Sequence, residues 1–228
     1  MKILAIGAHP DDIEIFMYGF LSACKLKGDD IFLVVATDGS LGGEKNIDLV
    51  NKRLEETKKA LKEIADPVSL NLPDGSLGNE ISHFQIIKEC IIGISPDLIV
   101  THYSKDYHSD HRSLSKIVKK IAGHYIPILF CDTMMGLRFD PDYYVEITKY
   151  FDKKINAVLC HNTQKPKRFV DLIKLTNSYR AAQCNSPIGT FAEAYKFNKS
   201  FPFTDIRDLL PKAPKLRSFE ITSENGFL

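Results

Sequence analysis

Short apolar runs alternate along the chain with longer segments in which hydrophobic residues recur every three or four positions. This alternation is typical of βαβ units, in which helices join parallel strands. The helical period is clearest between Ile47 and Ile64, where Val50, Leu54 and Leu61 share a face and charged residues occupy the other. Beyond residue 140 the pattern loosens. The first part of the chain therefore predicts an α/β sheet.

The predicted elements follow directly from these runs. Strands are expected at Lys2–Ala8, Asp30–Thr37, Val68–Leu72, Asp97–His102 and Pro127–Cys131. Helices are expected at about Glu14–Lys27, Ile47–Ile64, Ile81–Ile94 and Ser113–Ala122. Later segments predict a strand at Tyr143–Ile147 and helices at Tyr150–Cys160 and Phe169–Gln183, while Phe191–Phe197 fits either state. We expect a Rossmann-like, open, mostly parallel, doubly wound sheet with helices on both faces. Residues 1–140 would form its core, and residues 141–228 would complete a single domain.

Composition and charge narrow the function classes. The chain has 228 residues, of which 44% are hydrophobic and 26% charged, as in an ordinary globular protein. Lysine and arginine number 30 against 29 aspartates and glutamates, which argues against nucleic-acid or anionic-membrane partners because both need a concentrated positive field. No apolar run reaches the ~18–20 residues that span a bilayer. We expect a cytoplasmic protein.

The five cysteines are odd in number and widely spaced, and no C-x-x-C pair occurs. This pattern predicts free thiols in a reducing compartment, and neither a disulfide framework nor a thiolate metal site.

The stretches richest in chemical groups follow the first and fourth predicted strands. His9-Pro10-Asp11-Asp12 follows the first, and the segment from His102 to His111 follows the fourth. In a sheet of order 3-2-1-4-5 these strand ends meet at the switch point, where ligands bind. Two imidazoles and a carboxylate form a site suited to Zn²⁺ or Fe²⁺. A second aspartate remains free to accept a proton.

Each stretch also has a structural interpretation. Pro-Asp-Asp before a helix is a common N-cap, and His108-x-x-His111 fits an exposed polar loop. Their joint placement at the switch point favours a functional site. A dinucleotide-binding module is disfavoured, since the first turn lacks the glycines of G-x-G-x-x-G and two carboxylates there would repel a pyrophosphate. The run Gly39–Gly43 fits a phosphate cradle as well as a flexible loop.

Together these motifs resemble the LmbE/PIG-L family of zinc-dependent N-deacetylases. Ala8-His9-Pro10-Asp11-Asp12 with Glu14 resembles the family's A-H-P-D-D-E stretch, and His108-Ser109-Asp110-His111 its H-P-D-H stretch. Weaker similarities are Thr37-Asp38-Gly39-Ser40 and Arg53-Leu54-Glu55-Glu56, and the stretch from Gln183 to Tyr195. Ile13, Ser40 and Ser109 depart from the family pattern, but none of them is a proposed ligand or base.

The resemblance implies a role for each matched position. His9, Asp12 and His111 would ligate zinc, with Fe²⁺ as the alternative. Asp11 would be the general base for a metal-bound water and then the acid for the departing amine. His108, in its charged form, would stabilise the oxyanion.

The resemblance assigns three further residues to supporting roles. Arg53 would contact substrate and be oriented by Glu56. Asp110 would support a histidine ligand from outside the coordination shell.

Four other histidines carry weaker expectations. His102 fits an outer partner of the metal site or a structural histidine equally well. His161 lies in a stretch similar to a family C-H-x-S-Q motif, and we expect it to cap a helix end. His83 and His124 lie in helical contexts and are expected on the surface.

These features predict a metal-dependent amidohydrolase that removes an N-acetyl group from an amino sugar or its conjugate, including nucleotide-linked sugars. Two alternatives stay open: an amidase with the same site that acts on a thiol-conjugate amide, and a nucleotide-binding protein without hydrolase activity. Oligomers are common in the family that the chain resembles, so a homo-oligomer is also open. The tail after Ser200 is a candidate subunit contact.

Overall fold

The structure is a computed structural model and describes residues 1–43, 48–199 and 205–217. Within these ranges the strands are β1 Lys2–Gly7, β2 Asp30–Thr37, β3 Pro67–Leu72, β4 Leu98–Thr101, β5 Ile128–Cys131, β6 Tyr143–Glu146 and β7 Ala192–Phe197. The α-helices are α1 Asp12–Phe16, α2 Tyr18–Lys27, α3 Leu49–Leu61, α4 Ile81–Ile94, α5 Ser109–Ala122, α6 Phe151–Val158 and α7 Lys167–Gln183.

All the strands belong to one sheet with the order β3-β2-β1-β4-β5-β7-β6. The strands β1 to β5 pair in parallel, whereas β7 runs antiparallel to both β5 and β6. The predicted order of the first five strands and the mostly parallel sheet are confirmed. The ambiguous segment near Phe197 is a strand, and it joins the C-terminal part of the chain to the sheet.

The sheet separates two hydrophobic clusters. Along β1, Ile3 and Ala5 contribute to one cluster, and Leu4 and Ile6 to the other. Successive strand side chains point to opposite faces, so a strand covered on both sides needs a continuous apolar run. This is why the first apolar run of the sequence forms a central strand.

The predicted helix from Glu14 to Lys27 is two helices, α1 and α2, with a break at Met17 (φ −133°, ψ −7°). The break exposes backbone groups at the start of α2. The N–H groups of Gly19 and Phe20 donate to the two carboxylate oxygens of Glu193, at 2.9 and 2.8 Å. A carboxylate from β7 therefore caps α2, which no local pattern could reveal. The helix ends as predicted at Gly28, whose φ of 94° suits glycine.

Helix α5 begins four residues earlier than expected, at Ser109 instead of Ser113. Its N-cap is His108, whose Nδ1 accepts the Asp110 N–H at 3.3 Å. Asp110 and His111 therefore lie on the first helical turn and not in a loop.

Several other expectations meet a clear outcome. The five cysteines are free, with Cys24 and Cys131 buried and the others half-buried. His124 is exposed, but the surface position expected for His83 is wrong. His83 is buried, and its Nδ1 accepts the Gly78 N–H at 3.1 Å, because the turn before α4 folds back onto it.

Ile47 and residues 200–204 and 218–228 lie outside the described residues, so part of the proposed contact tail does too. The described piece of that tail packs on its own chain, where Ile206 and Leu210 are buried. No helix in the described ranges has the length and apolar character to cross a membrane.

Candidate metal centre

The parallel pairing of β1 with β4 brings the two motif stretches to one edge of the sheet. Ile3, Leu4 and Ala5 pair with Leu98, Ile99 and Val100. Both strands therefore end together, and the ring centroids of His9 and His111 lie 5.3 Å apart. The two motif stretches therefore lie next to each other, as the strand order predicts.

His9 lies directly after β1 and is buried among carboxylates. Its Nε2 is 3.1 Å from Asp74 Oδ1 and 3.3 Å from Asp110 Oδ2, while its Nδ1 is 3.4 Å from Asp12 Oδ2. Burial alone would lower the pKa of His9, but hydrogen bonds to Asp110, Asp12 and Asp74 raise it to about 12. Two carboxylates on Nε2 hold a proton there, so Nδ1, which carries the second proton of the charged ring, is the nitrogen that faces Asp12.

His111 shows the same arrangement from the other side of the site. Its Nδ1 is 3.2 Å from Asp106 Oδ2, and its Nε2 is 3.2 Å from Asp12 Oδ1. Burial lowers the pKa of His111, but the charge of Asp12 and the contact with Asp106 raise it to about 9. Asp106 therefore orients the imidazole so that Nε2 faces Asp12. No local pattern distinguishes Asp106 from the other polar residues of its loop.

Asp12 is the buried carboxylate between these imidazoles. His102, fully buried, adds a third, with its Nε2 3.0 Å from Asp12 Oδ2 and 3.1 Å from the Ala8 backbone N. Burial opposes ionisation of Asp12, but the charges of His111 and His102 hold its pKa well below the usual range. His102 also stacks on His111, with centroids 3.7 Å apart. It thus touches two of the proposed ligands.

These residues provide the donor set of a divalent cation. Three overlapping groups have ligand atoms within 4.8 Å of one another: His9, His108 and His111; Asp12, His102 and His111; and His9, Asp74 and Asp110. The predicted ligands His9, Asp12 and His111 come from more than one of these groups. Asp12 joins them, because its carboxylate lies 3.4 Å from the His9 Nδ1 and 3.2 Å from the His111 Nε2. Imidazole lone pairs facing a buried carboxylate repel it unless a positive charge lies between them. A proton on each imidazole or one metal ion supplies that charge, so the residues fit the metal.

Asp11 precedes α1 in a left-handed conformation (φ 116°, ψ −21°) that non-glycine residues rarely adopt. Such a conformation costs roughly 1–3 kcal/mol and persists where surrounding contacts enforce it, often at functional sites. Burial and the neighbouring Asp12 charge raise the pKa of Asp11 to about 6. The carboxylate lines the cleft and is ionised at neutral pH, where it can accept a proton.

His108 lines the same cleft, and its ring centroid is 4.6 Å from that of His9. Burial and the charges of His9 and His111 lower the pKa of His108. The charged form expected from the resemblance is therefore disfavoured. Because Nδ1 accepts the Asp110 N–H, a neutral ring carries its proton on Nε2 and can still donate.

Arg53 connects the two loops beside the site. Its Nη2 donates to Pro10 O at 2.6 Å and its Nη1 to Gly39 O at 2.7 Å, and Nη2 is 3.6 Å from Asp11 Oδ2. A Cβ atom on Gly39 would lie 2.7 Å from Nη1, and one on Gly42 would overlap the guanidinium. These glycines therefore let the loop close over Arg53, which accounts for the Gly39–Gly43 run without a phosphate.

Glu56 does not orient Arg53 by any hydrogen bond found among the described residues. Its carboxylate accepts the Thr163 N–H at 3.0 Å and the Thr163 hydroxyl at 2.6 Å. The expected Glu56–Arg53 pairing is replaced because α3 packs against the turn that contains Thr163.

Asp110 lies beside His9, with its Oδ2 3.3 Å from the His9 Nε2, and its supporting role stays a prediction. Besides His9 it accepts the backbone N–H groups of Gly75 and Leu77, at 2.8 and 3.2 Å.

His161 does not cap a helix end as predicted. Its Nε2 is 2.9 Å from Glu14 Oε1, and both side chains are only 1% exposed. Burial lowers the pKa of His161, but the charge of Glu14 and their hydrogen bond raise it above the usual value. The pair fixes α1, and with it Asp12, to the segment before α7. The two residues are 147 positions apart in the sequence, so no local pattern could have predicted this pair.

The site opens into a cleft of about 330 Å³, within the roughly 300–1,000 Å³ usual for small-molecule pockets. His9, Asp11, Asp12, His108 and His111 all line it. The cleft therefore exposes the proposed ligands and base to one small molecule.

The chain was compared with known proteins. A profile of PIG-L, described as GlcNAc-PI de-N-acetylase, matches residues 4–122. The chain is 33% identical over 172 residues to the uncharacterized deacetylase YaiS of Escherichia coli strain K12, covering 71% of this chain and 90% of that protein. It is 25% identical over 191 residues to the diacetylchitobiose deacetylase of Thermococcus kodakarensis, covering 73% of this chain and 71% of that protein.

Among solved structures, GalB, the 4-carboxy-2-hydroxymuconate hydratase of Pseudomonas putida KT2440, is similar in fold. The TM-score is 0.75 at 18% identity, covering 90% of this chain and 98% of the other. Because a hydratase shares the fold, the fold alone does not specify the reaction. The sequence matches are more informative: the profile spans half of the chain, and YaiS aligns with more than two thirds of it. The chain belongs to the PIG-L family.

Proposed function

We propose that the protein is a metal-dependent amidohydrolase that removes an N-acetyl group from an amino sugar or an amino-sugar conjugate. The observation that carries this proposal is the convergence of His9, Asp12 and His111 beside the carboxylate of Asp11, all of them lining one cleft. Amide hydrolysis needs an activated water, a base and a stabilised oxyanion. This edge of the sheet offers groups suited to each.

His9, Asp12 and His111 would hold the metal, Zn²⁺ by the resemblance or Fe²⁺ by the donor set. A divalent cation bound there would polarise the amide carbonyl and lower the pKa of a nearby water. Asp74 and Asp110 hold the His9 ring, and Asp106 holds that of His111. These contacts keep both imidazoles in the orientation that ligation needs.

Asp11 would take the proton from the attacking water and return it to the departing amine. The pKa of Asp11 is raised to about 6, which is close to neutral pH, so the carboxylate can both accept a proton and give it up again. Arg53 binds the carbonyl of Pro10 and thereby fixes the loop that carries Asp11. We assign Arg53 this positioning role in addition to the contact with substrate that the resemblance implies.

His108 would donate from Nε2 to the developing oxyanion as a neutral imidazole. Its N-cap contact with the Asp110 N–H fixes that tautomer. A neutral donor adds less charge than the imidazolium expected from the resemblance, but it does not have to be protonated beside His9 and His111.

The substrate class rests on the relatives and on the cleft. The Thermococcus relative is named for the deacetylation of diacetylchitobiose. Asp11 and Asp74 line the cleft together with Arg53 and Arg168, a mixed set suited to sugar hydroxyl groups. Because the glycine loop closes over Arg53, an uncharged amino sugar is favoured over a nucleotide-linked one. A thiol-conjugate amide stays the alternative substrate.

The test is acetate release from N-acetylglucosamine, diacetylchitobiose, a nucleotide-linked N-acetyl sugar and a thiol-conjugate amide, with and without a chelator. We expect chelator-sensitive release that falls about 10²–10⁴-fold in Asp11→Asn, with the metal retained. If Asp11→Asn loses the metal, Asp11 is the ligand and Asp12 the base, the reverse of the proposed roles. Release that is unaffected by complete metal removal would reject the proposal.

A further inference from the structure

The cleft has one polar side and one apolar corner. Arg53, Gln164 and Arg168 line the polar side, whereas Ile15, Phe16 and Met134 line the corner. Ile15 and Phe16 are buried, and the Phe16 ring lies 6.2 Å from that of His111. An N-acyl amino sugar is divided in the same way, into a polar ring and an apolar acyl group. The corner therefore suits the acyl chain.

A second cavity, of about 20 Å³, lies behind this corner. It holds about one water molecule. Ile15, Phe16 and Met134 line this cavity as well as the cleft, so these three side chains form the partition between the two spaces. Beyond the partition the lining is mixed: Ile173 and Ala194 line the second cavity together with the polar residues Asp132, Lys154, Asn177 and Glu193.

The three partition residues are not equally adjustable. Ile15 and Phe16 belong to α1, the short helix that begins with Asp12, so changing them would disturb a proposed ligand. Met134 lies instead in the turn after β5, which is fixed by its own contacts. Thr133 Oγ1 donates to Leu137 O at 2.7 Å, and Arg180 forms a bidentate ion pair with Asp132 at 2.6 and 2.9 Å. The Met134 side chain can therefore be shortened without removing the contacts that hold the turn.

We propose that Met134 sets the acyl-chain length that the protein accepts, by closing the apolar corner of the cleft against the second cavity. This inference rests on the proposed function. Alanine at position 134 removes three heavy atoms, which opens room for an acyl chain a few carbons longer. Each added methylene that is buried contributes a roughly fourfold gain. A longer chain would reach the charged groups beyond the partition and gain less.

The experiment compares kcat/KM for N-acetyl-, N-butyryl- and N-hexanoylglucosamine in the wild-type protein and in Met134→Ala. We expect the butyryl-to-acetyl ratio to rise about tenfold in the variant, with a smaller rise for hexanoyl. Met135→Ala is the matched control, because Met135 lines the second cavity but not the cleft. It should leave both ratios unchanged. Met134→Val, checked by thermal unfolding, replaces the alanine variant if that one does not fold.

A second readout does not depend on turnover. Calorimetry of the metal-free proteins should show tighter binding of N-butyrylglucosamine to Met134→Ala than to wild type, and equal binding of N-acetylglucosamine. Unchanged ratios and unchanged binding in a folded Met134 variant would overturn the inference. So would an equal rise in Met135→Ala. If the wild-type protein hydrolyses none of the three substrates, the proposed function fails, while the binding comparison still decides the role of Met134.

Discussion

Two buried acids in this protein have opposite surroundings. Glu193 accepts hydrogen bonds from Lys154 and the Tyr195 hydroxyl, at 2.7 and 2.8 Å, and from the backbone at the start of α2. Asp12 accepts one backbone N–H, that of His9 at 2.7 Å, and otherwise faces the ring nitrogens of His9, His102 and His111. A buried acid surrounded by donors is complete without a ligand, whereas one surrounded by imidazole nitrogens needs an added positive charge. The contrast separates a carboxylate that stabilises the fold from one that is a proposed metal ligand.

The largest expected difference is in metal dependence. Asp12→Asn removes the charge that both proposed ligands share, so metal content should fall from about one ion per chain to near zero. Activity should fall by more than the 10–100-fold typical of changes outside the ligand shell. Metal analysis and the unfolding temperature, each measured with and without chelator, check this. The chelator should lower the unfolding temperature of the wild type only. A variant that keeps its metal would contradict the assignment of Asp12.

Glu193→Gln tests the other acid. It leaves Lys154 buried without its counter-charge, so the free energy of unfolding should fall by about 3–5 kcal/mol. Urea denaturation measures the loss. The matched control is Glu63→Gln, which breaks the exposed Lys153–Glu63 pair of 2.8 Å and should cost much less, because water screens an exposed ion pair. Equal losses in the two variants would show that burial of the pair does not matter.

A smaller effect is expected at the outer carboxylate of His111. Asp106→Asn removes the charge that orients the ring, and should weaken metal affinity by about 10–100-fold with the fold intact. Competition with a coloured chelator measures the affinity. Asp29→Asn is a control, because Asp29 is a carboxylate partner of the N-terminus and lies just before β2, at the opposite end of the strands from the site. If the metal affinity of Asp106→Asn were unchanged, Asp106 would not orient the His111 ring through its Nδ1.

The smallest expected effect is the pH dependence of the His161–Glu14 pair. Because the folded-state pKa of His161 is raised, its contribution is fully present below its unfolded pKa, about 6.5, and is lost as the pH rises through the folded value. The stability difference between metal-free wild type and His161→Gln should therefore be largest near pH 6 and shrink toward pH 9. Urea denaturation at both values measures it. If the stability difference between the two proteins grew with pH, the proton that His161 is expected to hold would belong to another group.

The sequence by itself determined the strands of the parallel sheet and the place of the site. A strand buried on both faces must be continuously apolar, and the order of strands puts the stretches after β1 and β4 at one edge. The two stretches that contain His9, Asp12 and His111 could be located because the ends of such strands are readable from local pattern, whereas the choice of these three residues as ligands came from the family resemblance. The charge state of His108 and the partner of Arg53 could not be chosen in this way.

Only the tertiary structure decided which polar groups meet. Asp74 and Asp106 reach the ligands from loops that look like ordinary polar turns, and Glu193 caps a helix break 174 residues away. His161 likewise pairs with Glu14 across the chain. Hydrophobic burial depends on patterns that repeat along the chain, whereas a buried charge depends on the few atoms that surround it in space. The sheet and the location of its site could therefore be predicted, but the protonation states and outer partners of that site could not.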